Sequence, residues 1–157
     1  KGTADDPYQI YTGSQLAYLA QTTNNGTSYS GEYFKLMCDI VLNDTSDWEA
    51  WEKIAPKNSW TAIGTSFECS FQGTFDGDGH TVSGIYIDTV YNAQGLFGFA
   101  NNATIKNVEV KRSYIKGGSD VGSIVGYNNS GTAGKIFTST IMSIMESQEN
   151  IGGKEML

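Results

Sequence analysis

Five residues concentrate the groups that do chemistry: Asp76-Gly-Asp78-Gly-His80. Carboxylates at alternate positions are what calcium asks of a loop, and D-x-D-G opens the loop of an EF-hand. The later ligands are missing. The fifth position is His80, and the twelfth, where a bidentate Glu belongs, is Ile87. Asp76 and Asp78 are therefore weak candidate metal ligands. His80 is the only histidine, so a catalytic metal would need ligands from elsewhere in the chain. Asp78 with His80 could begin an acid–base pair, but no nucleophile stands at a companion spacing. The same residues also suit a tight turn, in which Asp and Gly supply the backbone angles and Asp side chains bond nearby amides. The turn is the expected use.

A second set is aromatic: Trp48, Trp51, Trp60, Tyr86 and Tyr91. Flat rings flanked by acids and amides can stack on sugars, and Trp48 and Trp51 are the candidate glycan-binding pair. Trp and Tyr also anchor loops. Trp60 precedes Ile63-Gly64 in an expected strand and should be packed. Asp44, Asp47, Glu49 and Glu52 cluster around the Trp pair. A glycosidase or lyase sets acids along a long groove, which a short chain does not offer, so a solvated charged loop is expected. Lys106, Lys111, Arg112 and Lys116 read as an outer face that offsets local acids.

Composition narrows the classes. The 157 residues allow one domain with a core; charged residues are 17% and the net charge is −7. That balance opposes binding to nucleic acid and to anionic membrane. No stretch approaches the ~20 apolar residues of a membrane span, so membrane insertion is not expected, and no cofactor motif is present. The start at Lys1, without Met, reads as a trimmed or mature fragment. Cys38 shares parity with Phe34, Leu36 and Ile40, and Cys69 with Phe67 and Phe71. Both should point inward as free thiols, a disulfide being the alternative. No C-x-x-C spacing points to metal. Asn25-Gly-Thr27, Asn43-Asp-Thr45, Asn102-Ala-Thr104 and Asn128-Asn-Ser130 match the glycosylation sequon. In so Asn- and Thr-rich a chain they read as chance matches.

The elements that must position these groups begin with a helix expected over 13–22. Thr12 and Gln15 form a capping box, Tyr11 and Leu16 hold the staple positions, and Leu16, Leu19 and Ala20 make one apolar face with Tyr18 at its edge. "EYFKLMCDIVL" alternates as a strand. Residues 43–59 form a polar excursion anchored by its own Trp residues. "WTAIG", "FECSFQGTF" and "TVSGIYI" follow as short strands.

Two offsets mark a repeat. Thr81–Ile87 lays on Thr104–Val110 at 23 residues; Gly95–Phe99 lays on Ser123–Tyr127 at 28, and a fainter copy begins at Thr132. The five-residue difference is assigned to a loose connection in "RSYIKGGSD". Short alternating strands repeated at 20–30 residues, without a Leu framework, point to a parallel β-helix. Val82, Ile85, Ile87, Ile105, Val108 and Val110 should face inward. Gly84 and Asn107 would be matched corners, because both tolerate left-handed backbone angles. The open ends need caps. The N-terminal helix is one, and residues 139–157 read as an irregular end or a self-association surface.

"DDPYQIYTGSQLAYLA", "YFKLMCDIVL", "FQGTFDGDGHTVSGIYI", "QGLFGFANNATIKNV" and "DVGSIVGYNNSG" together resemble the GLUG-motif surface proteins of gut and Gram-positive bacteria, over about residues 5–131. Related segments occur beside immunoglobulin A-type metallopeptidases. The resemblance implies a right-handed β-helix in a large, modular, cell-surface or secreted protein of adhesin-like character, with no catalytic residues assigned. After Gly131 the chain departs from the pattern. The expectation is thus a single all-β domain over 1–157, a right-handed parallel β-helix (solenoid) of few coils (33–138) with an N-terminal capping α-helix. It would be a non-catalytic, extracellular module that contacts glycans or host proteins. The alternative is a carbohydrate-active lyase or hydrolase using Asp76, Asp78 or His80.

Overall fold

The computed structural model describes residues 1–130, together with the strand backbone of 132–133, 136–138 and 141–145. It is mostly strand, with one α-helix and parallel sheets. The first sheet joins β1 (Tyr8–Ile10), β2 (Tyr33–Leu36), β4 (Thr74–Asp76), β8 (Thr104–Lys106) and β12 (Thr132–Ala133) in that order. The second joins β3 (Ile40–Val41), β5 (Thr81–Ser83), β9 (Val108–Lys111) and β13 (Ile136–Thr138). The third joins β6 (Tyr86–Asp88), β10 (Ser113–Gly117) and β14 (Ile141–Met145), and the fourth β7 (Phe97–Asn101) and β11 (Val125–Asn129). From β4 onward the chain visits the four sheets in turn and returns to the first one level further on.

The helix α1 (Gly13–Asn24) occupies the connection between β1 and β2 and runs two residues beyond the expected end. Its capping box is formed. The Gln15 amide donates to Thr12 Oγ1 at 3.1 Å, and Gln15 Oε1 accepts from the Thr12 and Tyr11 amides at 3.2 and 2.7 Å. Leu16, Leu19, Ala20 and Thr23 are its buried face, while Tyr18 is exposed. The apolar members join the same core cluster as Ile10, Leu36, Ile63 and Phe71, so the helix covers the first level.

The interior holds the expected residues. Val82, Ile85, Ile87, Ile105, Val108 and Val110 are all buried. Phe34, Phe75 and Ile105 stand in register across the first sheet. Rings run between levels, Phe34 to Phe71 at 6.0 Å and Phe71 to Phe97 at 5.1 Å, and across one level, Phe75 to Phe97 at 5.2 Å. Each such side chain contributes about 1.5–3 kcal/mol by leaving water.

The register corrects the repeat. Thr81 pairs with Glu109, Tyr86 with Tyr114, Phe97 with Val125 and Thr104 with Thr132, each 28 residues on. The offset of 23 instead superposes β5–corner–β6 on β8–corner–β9, which lie in different sheets. It was visible because different corners of the circuit share one design: a strand, a left-handed residue, a strand. Gly84 (φ 78°) therefore stacks on Arg112 (φ 44°), to whose carbonyl it donates at 3.2 Å, and Gly79 (φ 83°) on Asn107 (φ 55°). "RSYIKGGSD" is no loose connection, since it contains β10. "EYFKLMCDIVL" breaks into β2 and β3 at a corner over Met37–Asp39. The segment around Phe67 is not a strand, and Phe67 is 52% exposed. Cys38 and Cys69 are both free thiols and only partly buried, because neither sits in a strand, where the parity argument would apply. Beyond residue 139, where an irregular end was expected, β14 pairs with β10 through Met145; the rest of that end lies outside the described residues.

Candidate functional site

Asp76-Gly-Asp78-Gly79-His80 is a corner between β4 and β5. Thr74–Asp76 pair at an offset of 30 and Thr81–Ser83 at 28, so the corner holds two more residues than its neighbour at Asn107. Asp78 (φ 51°) and Gly79 (φ 83°) turn the chain. Asp76 Oδ1 accepts from the Asp78 amide at 2.8 Å and from Asn107 Nδ2 at 3.0 Å, and Asp76 Oδ2 faces Lys106 Nζ at 3.5 Å. Burial pushes the Asp76 carboxyl up, but the Asn107, Asp78 and Lys106 partners outweigh it and hold it below the usual range. Asp78 Oδ2 faces Lys35 Nζ at 3.2 Å. His80 Nδ1 lies 3.2 Å from Asp39 Oδ1, which also accepts the Thr81 amide at 3.0 Å. That amide first, then His80, lowers the Asp39 pKa.

Sequence reasoning missed Asp39. Its partnership with His80 comes from stacking two corners 41 residues apart, which no local pattern signals. An Asp–His pair orients an imidazole, and among the described residues no hydroxyl or thiol is hydrogen-bonded to His80. Among the described residues no group of three or more His, Cys, Asp or Glu could hold a metal ion. Asp76 and Asp78 each face a lysine of a neighbouring level.

The same pattern continues over the outer faces. Lys35, Asp76 and Lys106 are successive rungs of the first sheet, and Lys116 Nζ faces Asp88 Oδ1 across the third at 3.5 Å. Lys111 Nζ faces Glu109 Oε2 at 3.6 Å. Three of the four basic residues noted in the sequence thus face local acids. These exposed pairs are worth little individually, ~0–1 kcal/mol each.

The 43–59 excursion is closed at its neck by two asparagines. Asn43 Nδ2 donates to the Asn58 carbonyl at 2.7 Å and the Gly84 carbonyl at 2.9 Å. Asn43 Oδ1 accepts the Asn58 amide at 2.9 Å, and Asn58 Nδ2 donates to the Leu42 carbonyl at 3.1 Å. Within the loop, Trp48–Ala50 form a 3-10 turn. Trp51 is 1% exposed; its ring meets Tyr86 edge-on at 6.1 Å and its Nε1 donates to Asp47. It cannot present a face to a sugar, so the expected Trp48/Trp51 pair is reduced to Trp48, which is half-buried. Trp60 is packed as expected and donates to the Leu96 carbonyl at 3.1 Å. The neck asparagines were in plain view in the sequence, flanking the loop, but nothing there distinguishes them from the other asparagines.

Open clefts lie among the described residues. One of about 480 Å³ lies between α1 and the excursion neck, lined by Thr12, Ser14, Asn43, Asn58 and Trp60 among others. Another of about 420 Å³ runs beside α1 and is mainly apolar, with Tyr8, Tyr18 and Tyr29 along it. A third of about 490 Å³ lies between Trp60–Ala62 and Asp88–Tyr91. Among the described residues no helix is long and apolar enough to cross a membrane.

No protein-family model matches the chain. It is 33% identical over 156 residues to Halomucin of Haloquadratum walsbyi, an alignment that takes in 97% of this chain and 2% of Halomucin. The chain therefore spans about one fiftieth of the length of this curated relative. The crystal structure of a proposed immunoglobulin A1 protease from Bacteroides ovatus superposes with a TM-score of 0.58 at 21% identity, over 78% of this chain and 32% of that one. At that identity the likeness speaks for the fold alone.

Proposed function

We propose that this chain is a non-catalytic module of a much longer surface or secreted protein, built as a right-handed parallel β-helix of the GLUG-motif kind. The 28-residue register supports the solenoid, and right-handed crossover is the near-universal sense for parallel strands. The observation that carries the non-catalytic reading is the use of the candidate groups. Asp39, Asp76, Asp78 and His80 are each bonded to a neighbouring level of the stack. They hold coil to coil, and each leaves less of itself for a substrate. The extracellular reading draws support from the alignment with Halomucin and from the acidic, weakly charged composition. Such a module acts as a spacer with contact surfaces, and half-buried Trp48 on its clasped loop is the place for a glycan or a host protein to touch.

The test pairs binding with turnover. The protein is offered to a glycan array beside Trp48→Ala, and to polysaccharide and peptide substrates beside Asp78→Asn and His80→Ala. Binding weakened by the Trp48 change, without turnover, is the expected result. Turnover abolished by either corner variant would overturn the non-catalytic reading in favour of an enzyme.

A further inference from the structure

The cleft of about 490 Å³ between Trp60–Ala62 and Asp88–Tyr91 differs from the corners around it in how its polar groups are used. At the Asp76–His80 corner and at the loop neck such groups bind a neighbouring level or close the loop. In this cleft the hydroxyls of Ser59, Thr61 and Thr65 are exposed and have no partner among the described residues. Gln94 spends Nε2 on the Asn92 carbonyl at 3.1 Å and keeps Oε1 for another donor. The volume is that of a small-ligand site, about 300–1,000 Å³.

One wall is an aromatic ring on a pinned backbone. Val90 and Tyr91 stand side by side at a loop tip, 72% and 74% exposed. The loop beneath them is bonded along its length to the next level. The Thr89 amide donates to the Lys116 carbonyl at 3.3 Å, the Tyr91 carbonyl accepts the Gly118 amide at 2.9 Å, and the Ala93 amide donates to the Ser119 carbonyl at 2.8 Å. A Cβ on Gly118 would meet the Val90 carbonyl at 2.4 Å, so only glycine lets the two levels approach there. Gly117, Gly118 and Ser119 carry no side chain large enough to cover the Tyr91 ring. An exposed ring on a fixed backbone contacts a ligand at small entropic cost.

Charge and backbone narrow the ligand. Asp88 is the one charged side chain in the lining, and it already faces Lys116 Nζ at 3.5 Å. No Lys or Arg lines the cleft to meet an acidic ligand, and a cation would find a carboxylate that is already paired. An extended peptide gains its affinity from an open strand edge, but the 89–93 backbone has spent its groups on the next level. What the cleft offers is an aromatic face beside hydroxyl and amide groups. That combination fits a pyranose, whose C–H face is apolar and whose rim carries hydroxyls. We propose that this cleft is a subsite for a neutral pyranose of a glycan, with the Tyr91 ring stacked on the sugar and Thr61, Thr65 and Gln94 bonded to its hydroxyls. The inference rests on the glycan-contact reading above and adds a second place to Trp48.

The experiment titrates oligosaccharides of β-linked glucose, galactose and mannose into the protein by calorimetry, with oligogalacturonate as the acidic arm. Tyr91→Ala is compared in the parent and in the Trp48→Ala background, which separates the two places. The expected result is binding of at least one neutral oligosaccharide, weakened about tenfold or more by Tyr91→Ala in both backgrounds. Tyr91→Phe, which keeps the ring, should stay within about threefold of the parent. Melting temperatures should hold, because the Tyr91 side chain is exposed. Neutral binding that Trp48→Ala weakens and Tyr91→Ala leaves unmoved overturns the cleft and leaves glycan contact at Trp48 standing. Tighter binding of oligogalacturonate overturns the neutral assignment. Binding of none of these sugars overturns both the cleft and the glycan contact, and leaves the non-catalytic reading intact.

Discussion

Replacing Asn43 with alanine should open the neck of the 43–59 excursion. The side chain makes three hydrogen bonds, two donated and one accepted, at 2.7–2.9 Å. Each is worth about 0.5–1.5 kcal/mol net, and more where a buried partner is left without one. The neck borders a cleft, lined in part by Asn43 and Asn58, through which water can reach some of the abandoned groups. The loss should be about 2–4 kcal/mol. At about 2–4 °C per kcal/mol for a chain of this length, the melting temperature should fall by about 4–16 °C. Asn43→Asp keeps the acceptor for the Asn58 amide but sets an oxygen against two carbonyls, so at neutral pH it should be no more stable than the alanine variant. The bonds are reciprocal, so Asn43→Ala with Asn58→Ala should cost less than the sum of the two single changes. Thermal melts, with limited proteolysis reading cleavage between 44 and 57, measure both effects. A melting temperature within about 1 °C of the parent, or full additivity in the double variant, would refute the clasp.

Deleting residues 89–116 removes one 28-residue circuit and joins Asp88 to Gly117, which follows the register partner of Asp88. That protein should still unfold cooperatively with a β-type circular dichroism spectrum, whereas deleting 94–116, which is 23 residues, should not. Gly77→Ala would set a Cβ 2.4 Å from the Asn107 carbonyl and 2.6 Å from Val108 Cβ, so backbone must move, at a cost of about 3 kcal/mol in urea melts. Gly79→Ala meets open space and carries only its left-handed angle, about 1–2 kcal/mol. Thr12→Ala should lower stability by about 1 kcal/mol through loss of the cap. The folded-state pKa values of Asp39 and Asp76 are lowered, so their contribution is present above the unfolded carboxylate value, about 3.9, and is lost as pH falls through the folded values. Melting temperature should therefore drop in acid, and Asp76→Asn should flatten that limb.

Much of the architecture was legible because it is local. The Thr12/Gln15 cap, the face of Leu16, Leu19 and Ala20, and the inward Val and Ile residues follow from periods of 3.6 and 2 that any short window displays. The 28-residue offset was legible where strand residues repeat, at Phe97 against Val125 and Thr104 against Thr132. The 23-residue offset misled because two corners within one circuit obey the same local rule. Phe67 and Cys69 misled because parity was applied where the chain makes no strand.

The chemistry-bearing residues divide differently. Their identities and the turn character of Asp76–His80 were written in the sequence, since Asp and Gly impose turn geometry on their immediate neighbours. What those groups touch was decided only by stacking. Asp39 meets His80, Asn43 meets Gly84 and Lys35 meets Asp78, because successive circuits bring residues 41 to 43 positions apart side by side, and Asn43 meets Asn58 where the excursion returns to its own neck. The same stacking buries Asn43 and leaves Asn25 and Asn102 exposed, a distinction that like tripeptides cannot carry themselves. Local angles are set by adjacent residues. Partners and exposure are set by the rung above and the rung below, which exist only once the chain has closed its circuits.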